Sequence, residues 1–161
     1  MPLNRASVEI GPLIAETLRA QAPLAADKGL HLESDVPPEM PPTWVDAELI
    51  GRVLQNLAGN AIKFTPAGGV IRLGVKSGES SGRAVLLVSV SDNGPGIPDE
   101  IRSRLFERFV TGPQEERGGG LGLAFCKVAV EAHGEHIWAE STLGKGATFT
   151  FSLPISTHPA S

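Results

Sequence analysis

The sequence predicts an α+β fold: a two-layer sandwich in which a mixed, mostly antiparallel sheet of about five strands packs on three helices. Apolar residues recur at the helical period in three well-separated segments. Short alternating runs joined by small polar turns lie between and after them, the pattern of antiparallel hairpins. Strands and helices alternate irregularly, which suits such a sandwich better than a doubly wound parallel sheet. With 161 residues, 41% of them hydrophobic, the chain has material for one core. A single domain over residues 1–161, with its core at about 8–154, is expected.

The first helix is predicted over residues 8–26, where Ile10, Leu13, Ile14, Leu18, Ala22 and Ala25 fall at three- and four-residue steps. A short strand at 30–33 follows, and the prolines between Pro37 and Pro42 break the pattern. Asp46 is placed to cap a second helix carrying Leu49, Ile50, Val53, Leu54, Leu57, Ala61 and Ile62. Thr65-Pro66-Ala67-Gly68-Gly69 ends that helix. Strands at 70–76 and 84–91 then form a hairpin, with a small, polar turn at 77–82. A short helix near 99–105 precedes a glycine-rich, charged loop at 111–119, expected to be a mobile lid that orders with its ligand. The third long helix spans 121–132 and stops at Gly134. Strands at 136–140 and 147–153, turned by Gly144-Lys145-Gly146, close the domain, and residues 156–161 read as a disordered tail.

Composition narrows the partners. The net charge of -4 arises from 18 acidic and 14 basic residues without a long run of either sign, so no footprint for nucleic acid is present. No window approaches the 18 or more apolar residues of a membrane span, so the chain reads as cytoplasmic without direct membrane contact; a longer parent could carry its anchor elsewhere. Cys126 has no second cysteine to pair with and falls in the apolar run 121–130, where it reads as a small core hydrophobe.

Three constellations carry chemistry. Asn56, Asn60 and Lys63 are spaced by four and three residues and so project from nearly one side of the second helix. A carboxamide oxygen can hold magnesium and an ammonium can meet phosphate, although a solvated polar stripe has the same spacing. Asp92-Asn93-Gly94-Pro95-Gly96 ends an apolar strand. Its carboxylate could accept from an exocyclic amine such as that of adenine, or the segment could be an ordinary turn. Gly118-Gly119-Gly120-Leu121-Gly122-Leu123 opens the third helix and offers backbone amides at its positive end, a phosphate site in chemical terms. It fits neither the G-x-x-x-x-G-K-[ST] phosphate loop nor the G-x-G-x-x-G dinucleotide turn.

The order of Arg52-Val53-Leu54-Gln55-Asn56-Leu57-Ala58-Gly59-Asn60-Ala61-Ile62-Lys63-Phe64-Thr65, then Asp92-Asn93-Gly94-Pro95-Gly96-Ile97-Pro98, then Leu105-Phe106-Glu107-Arg108-Phe109, then the 118–123 glycine run resembles the N, G1, F and G2 boxes of sensor histidine kinase ATP-binding domains. These belong to the wider GHKL superfamily, with the Bergerat fold. The resemblance implies that ATP and Mg2+ are bound, with Asn60 as magnesium ligand and Asn56 and Lys63 near the phosphates. It sets Phe64 against the base and Asp92 as reader of adenine, with Gly94, Gly96 and Ile97 lining the pocket. Gly120, Leu121, Gly122 and Leu123 would cradle phosphate, and Thr148 would assist near the base. Phe106 and Phe109 would anchor the lid. Gly119 stands where the family commonly has threonine or serine, and Val110-Thr111 stand where it often has an aromatic and a basic residue, so a lid cation must come from Arg108 or Arg117.

Hydrolysing members of that superfamily resemble one another in having glutamate four residues before the magnesium asparagine. This chain has Asn56 there, and an amide is no general base. Phosphoryl transfer to histidine is therefore favoured, since a neutral imidazole is already nucleophilic. No acceptor is evident: His31, His133, His136 and His158 all lack the context of the family's phosphorylated helix. His133 and His136 are better read as a helix end and a strand start than as a metal pair, and His31 as a strand residue. The partners implied are a separate histidine-bearing dimerisation domain and, indirectly, a response regulator; the isolated domain is expected to be a monomer. A rival reading is a degenerate nucleotide-binding module without catalysis.

Overall fold

The computed structural model of the chain describes residues 2–98, 104–106 and 119–156. The predicted short helix at 99–105, nearly all of the 111–119 loop, Arg108, Phe109 and the tail beyond Ser156 therefore lie outside the described residues.

Before the first helix the chain makes a strand that periodicity does not announce. Ala6–Val8 (β1) pairs antiparallel with Thr43–Val45 (β3) as a separate two-stranded sheet. Val8, expected as helical, instead pairs with Thr43, and helix α1 runs over Ile10–Lys28. The helix ends at Gly29, whose φ of 76° turns the chain into His31–Asp35 (β2). Helix α2, Ala47–Phe64, starts as expected: the Asp46 carboxylate accepts from Leu49 N at 3.1 Å. Its buried stripe is Ile50, Val53, Leu54, Leu57, Ala58, Ala61 and Ile62.

Val70–Ser80 (β4) and Arg83–Asp92 (β5) form a longer hairpin than composition suggests. The polar residues 77–80 are not turn but strand, paired with Leu86, Val85, Ala84 and Arg83. The turn is only Ser81-Gly82, with φ of 53° and 76°, the doubly left-handed geometry that matches strand twist. Helix α3 covers Gly119–Ala132, two residues more than predicted at its start, and Ile137–Thr142 (β6) and Gly146–Pro154 (β7) follow.

The five-stranded sheet has the order β2-β4-β5-β7-β6, parallel only between β2 and β4. Register fixes its faces, because side chains alternate along every strand. Leu73, Val90 and Phe149 are aligned across three strands, as are Val75, Val88 and Phe151, and these form the sheet's half of the core under the helices. Arg72, Ser91 and Thr148 are aligned on the opposite face. Helices α2 and α3 run antiparallel: Asn56 lies against Gly122, Val53 O against Cys126 Sγ, and Asp46 against His133. Thus the N-terminus of α3 lies level with the C-terminal half of α2. Cys126 is fully buried, as expected, and burial pushes its thiol pKa up to about 12.

Candidate functional site

The site is built where α2 ends and β5 ends. Lys28 of α1 donates to the carbonyls of Ile62 and Lys63, both at 2.8 Å, and so satisfies the last turn of α2. Thr65 N donates to Ala61 O, closing the helix, and the chain then turns through 66–69 into β4. Asn93 staples that turn to the end of β5: its side-chain oxygen accepts from Val70 N at 2.8 Å and its own N–H reaches Val70 O at 3.3 Å. The Asp92 loop is thereby pinned beside the helix that carries Asn56, Asn60 and Lys63. A Cβ placed on Gly94 would lie 3.1 Å from Asp92 Oδ1 and 3.6 Å from Thr65 Cα, so a glycine there lets the two segments meet.

Asp92 Oδ1 accepts from Gly94 N at 2.9 Å. Burial raises its pKa above the ordinary 3.8, against the lowering effect of the Gly94 and Ala147 backbone bonds. Gly146, with φ of 97°, packs directly on the backbone of Asp92, where a Cβ would collide with the Asp92 carbonyl. Gly96 (φ 85°) approaches Thr142 O as closely, at 2.7 Å from where its Cβ would be. Ile97 N donates to Ser141 Oγ at 2.6 Å, tying the 92–97 loop to the β6–β7 hairpin. Lys28, Asn93, Ser141 and Gly146 do this positioning, and sequence reasoning missed all four. Their roles depend on partners 35 or more residues away, or across a strand pair, which no local pattern records.

On α2, Asn56 is half-buried and its Nδ2 points its hydrogen at Gly122 O, a long 3.5 Å contact. One turn on, Asn60 is also half-buried, and its Nδ2 is enclosed without any hydrogen-bond partner. A buried polar atom left unsatisfied is uncommon and marks a place where something else completes the bonding. The antiparallel register carries Asn60 to the level where α3 begins, so the orphaned amide and the positive helix end face one region. Magnesium keeps several waters and takes phosphate oxygens, so a single carboxamide oxygen from the protein fits its habits. Lys63 Nζ stands 5.5 Å from the Phe64 ring centroid, and Phe64 is 43% exposed, an unusual state for a large aromatic.

The expected residues are not all brought together. Gly119, Gly120 and Gly122 belong to the first turn of α3, as the phosphate reading requires. Leu123 is buried in the core, so only its backbone can take part. Arg117 and Gly118 lie outside the described residues. Phe106 packs edge-on against Phe149, ring centroids 6.1 Å apart, consistent with an anchoring role. Thr148 needs correction. Asp92 pairs with Ala147, while Thr148 pairs with Ser91, and alternation sends Thr148 to the opposite face of the sheet. The β7 residue beside Asp92 is Ala147. His133 uses both ring nitrogens inside the protein, Nδ1 on Ala129 O at 2.7 Å and Nε2 accepting from Asp46 N at 3.0 Å. It is thus the structural helix-end residue expected, and His31 lies in β2.

The family described as histidine kinase-, DNA gyrase B-, and HSP90-like ATPase matches residues 45–157. The chain belongs to that family. It is an ATP-binding domain of the histidine kinase type. The adaptive-response sensory kinase SasA of Gloeothece citriformis is 36% identical over 157 residues, covering 96% of this chain and 39% of the relative. The protein of that name from Synechococcus sp. (strain JA-2-3B'a(2-13)) is 44% identical over 135 residues, covering 83% of this chain and 35% of its own length. This chain therefore spans about two fifths of such relatives. Among solved structures, full-length ShkA in complex with AMPPNP superimposes with a TM-score of 0.86 at 34% identity, over 99% of this chain and 33% of that one. The catalytic domain of histidine kinase ThkA gives 0.81 at 27% identity, over 95% and 97%. The two-layer sandwich predicted from the sequence is that of these catalytic domains. Among the described residues no helix is long and apolar enough to cross a membrane.

Proposed function

We propose that this chain, as one domain with its core at about 8–154, is the catalytic part of a two-component sensor histidine kinase. It passes the γ-phosphoryl group of ATP to a histidine on a separate dimerisation domain, and a response regulator is served from there; the isolated domain is a monomer. The observation that supports this best is Asn56. The position one turn before Asn60 carries an amide braced toward Gly122, not a carboxylate able to take a proton from water.

The chemistry asked of the protein is then positioning and electrostatics. Asp92 accepts a hydrogen bond at the base, and Phe64 offers a ring face beside it. The amides of the first turn of α3 and the Lys63 ammonium hold phosphate oxygens. Asn60 would hold Mg2+, whose contribution is to neutralise phosphate charge. The acceptor imidazole is neutral and nucleophilic near pH 7, so no strong base is needed in the domain. Incubation with labelled ATP, magnesium and a histidine-bearing dimerisation helix pair tests the reading: label on the histidine is expected. Nucleotide binding without transfer would favour the degenerate binding module instead.

A further inference from the structure

Thr65 is the first residue after α2, and it is 1% exposed. Its hydroxyl is enclosed without a hydrogen-bond partner, one of three such side-chain atoms among the described residues. A buried threonine next to a helix end ordinarily bonds a carbonyl one turn back. Here Ala61 O is taken by Thr65's own backbone N–H. The side-chain methyl lies toward Gly69, where a Cβ would collide with Cγ2. On another side Thr65 abuts Gly94, whose missing side chain leaves the space between Thr65 Cα and Asp92 Oδ1. The neighbouring strand supplies no hydroxyl beside Asp92, because Ala147 is the residue paired with it and Thr148 faces away.

We propose that Thr65 is a second polar positioning residue on the base side of the nucleotide pocket, acting with Asp92 through an ordered water. An enclosed hydroxyl and a half-buried carboxylate flanking one gap are the polar partners that a buried water requires, and a purine edge can supply the remaining one. The hydroxyl both donates and accepts, so it can orient that water to suit the carboxylate, which only accepts when ionised. Thr65 does not touch the phosphates in this arrangement, and its effect should therefore be the same whatever the phosphate length.

The inference rests on the nucleotide-binding reading above, and the test separates the two. Thr65→Val keeps the shape and removes the hydroxyl; Thr65→Ser keeps the hydroxyl and removes the methyl. Calorimetric Kd values for ADP and for adenosine, with thermal unfolding midpoints in the absence of nucleotide, are measured for the 161-residue chain and both variants. The Val variant is expected to keep or raise the midpoint, yet bind both ligands about three- to tenfold more weakly, the worth of one hydrogen bond. The Ser variant should recover the parent affinity even where its midpoint falls. Unchanged affinity in the Val variant overturns the proposal alone, and so does a loss confined to ADP, which would move the hydroxyl to the phosphate side. A loss matched by the Ser variant marks a packing role and overturns it too. If the parent chain binds neither ligand, the nucleotide-binding reading fails and the inference falls with it.

Discussion

Two aspartates, Asp46 and Asp92, mark the two ends of this domain, and their surroundings shift them in opposite directions. Asp46 precedes α2, and the backbone bond from Asn4, with that from Leu49, holds its carboxyl below the ordinary 3.8. Around it every buried polar group is answered. His133 bonds Asp46 N and Ala129 O, and Glu135, just past α3, accepts from Ser152 Oγ at 2.8 Å and from Arg83 at 3.1 Å. At the other end Asp92 is raised by burial, and Asn60 and Thr65 keep enclosed polar atoms without partners. One end spends its polar groups on the fold; the other leaves them for something that is not protein.

The largest effect should come from dismantling the answered end. Glu135→Ala takes the acceptor from the buried Ser152 hydroxyl and opens a hole under a side chain that is 0% exposed. A loss of about 2–4 kcal/mol in urea unfolding is expected, with nucleotide affinity unchanged. A stability change below about 0.5 kcal/mol would show that the cluster contributes nothing to folding.

Asn60→Ala should show the reverse pattern. Because its amide has no protein partner, stability should hold within about 0.5 kcal/mol. Magnesium-dependent nucleotide binding should fall by at least about tenfold, the worth of a ligand to a charged centre. Titrating nucleotide with and without magnesium makes the comparison, and unaltered magnesium dependence would remove Asn60 from the site.

Asp92→Asn sharpens the contrast. The side-chain oxygen can still accept from Gly94 N, but the buried charge is gone, so the unfolding midpoint at pH 7 should rise while preference for ATP over GTP weakens. A variant that keeps the parent's ATP preference shows that Asp92 does not read the base.

The smallest effect is a pH slope, and its sign differs between the ends. Burial lowers the His133 pKa below 6.5, so the protein disfavours its charged form. Its contribution is complete above 6.5 and is lost as pH falls from there toward the lowered folded value. Asp46 acts likewise at lower pH: its stabilisation is present above 3.8 and disappears as pH falls through its depressed value. Asp92 acts oppositely, since a raised carboxyl favours the fold below 3.8 and loses that advantage as pH rises through its folded value. Unfolding midpoints from pH 7 to pH 5 should therefore decline, and His133→Asn should flatten the decline. An identical slope in that variant would assign it to other groups.

What the sequence determined by itself was whatever local spacing encodes. The apolar stripe of α2, its Asp46 cap, the polar line of Asn56, Asn60 and Lys63, and the glycines opening α3 all follow from a 3.6-residue period and from end chemistry within one segment. The motif order then named the family before any coordinate was known. Composition failed where polar residues do strand work, as at 77–80, and where a three-residue strand such as β1 has no room for a period. Tertiary structure alone decided that Thr148 faces away from Asp92, because a face is a matter of register between strands, and one residue of shift reverses it. It alone decided that the Thr65 hydroxyl is enclosed and unanswered, since a missing partner is a property of everything packed around an atom and of no residue taken by itself.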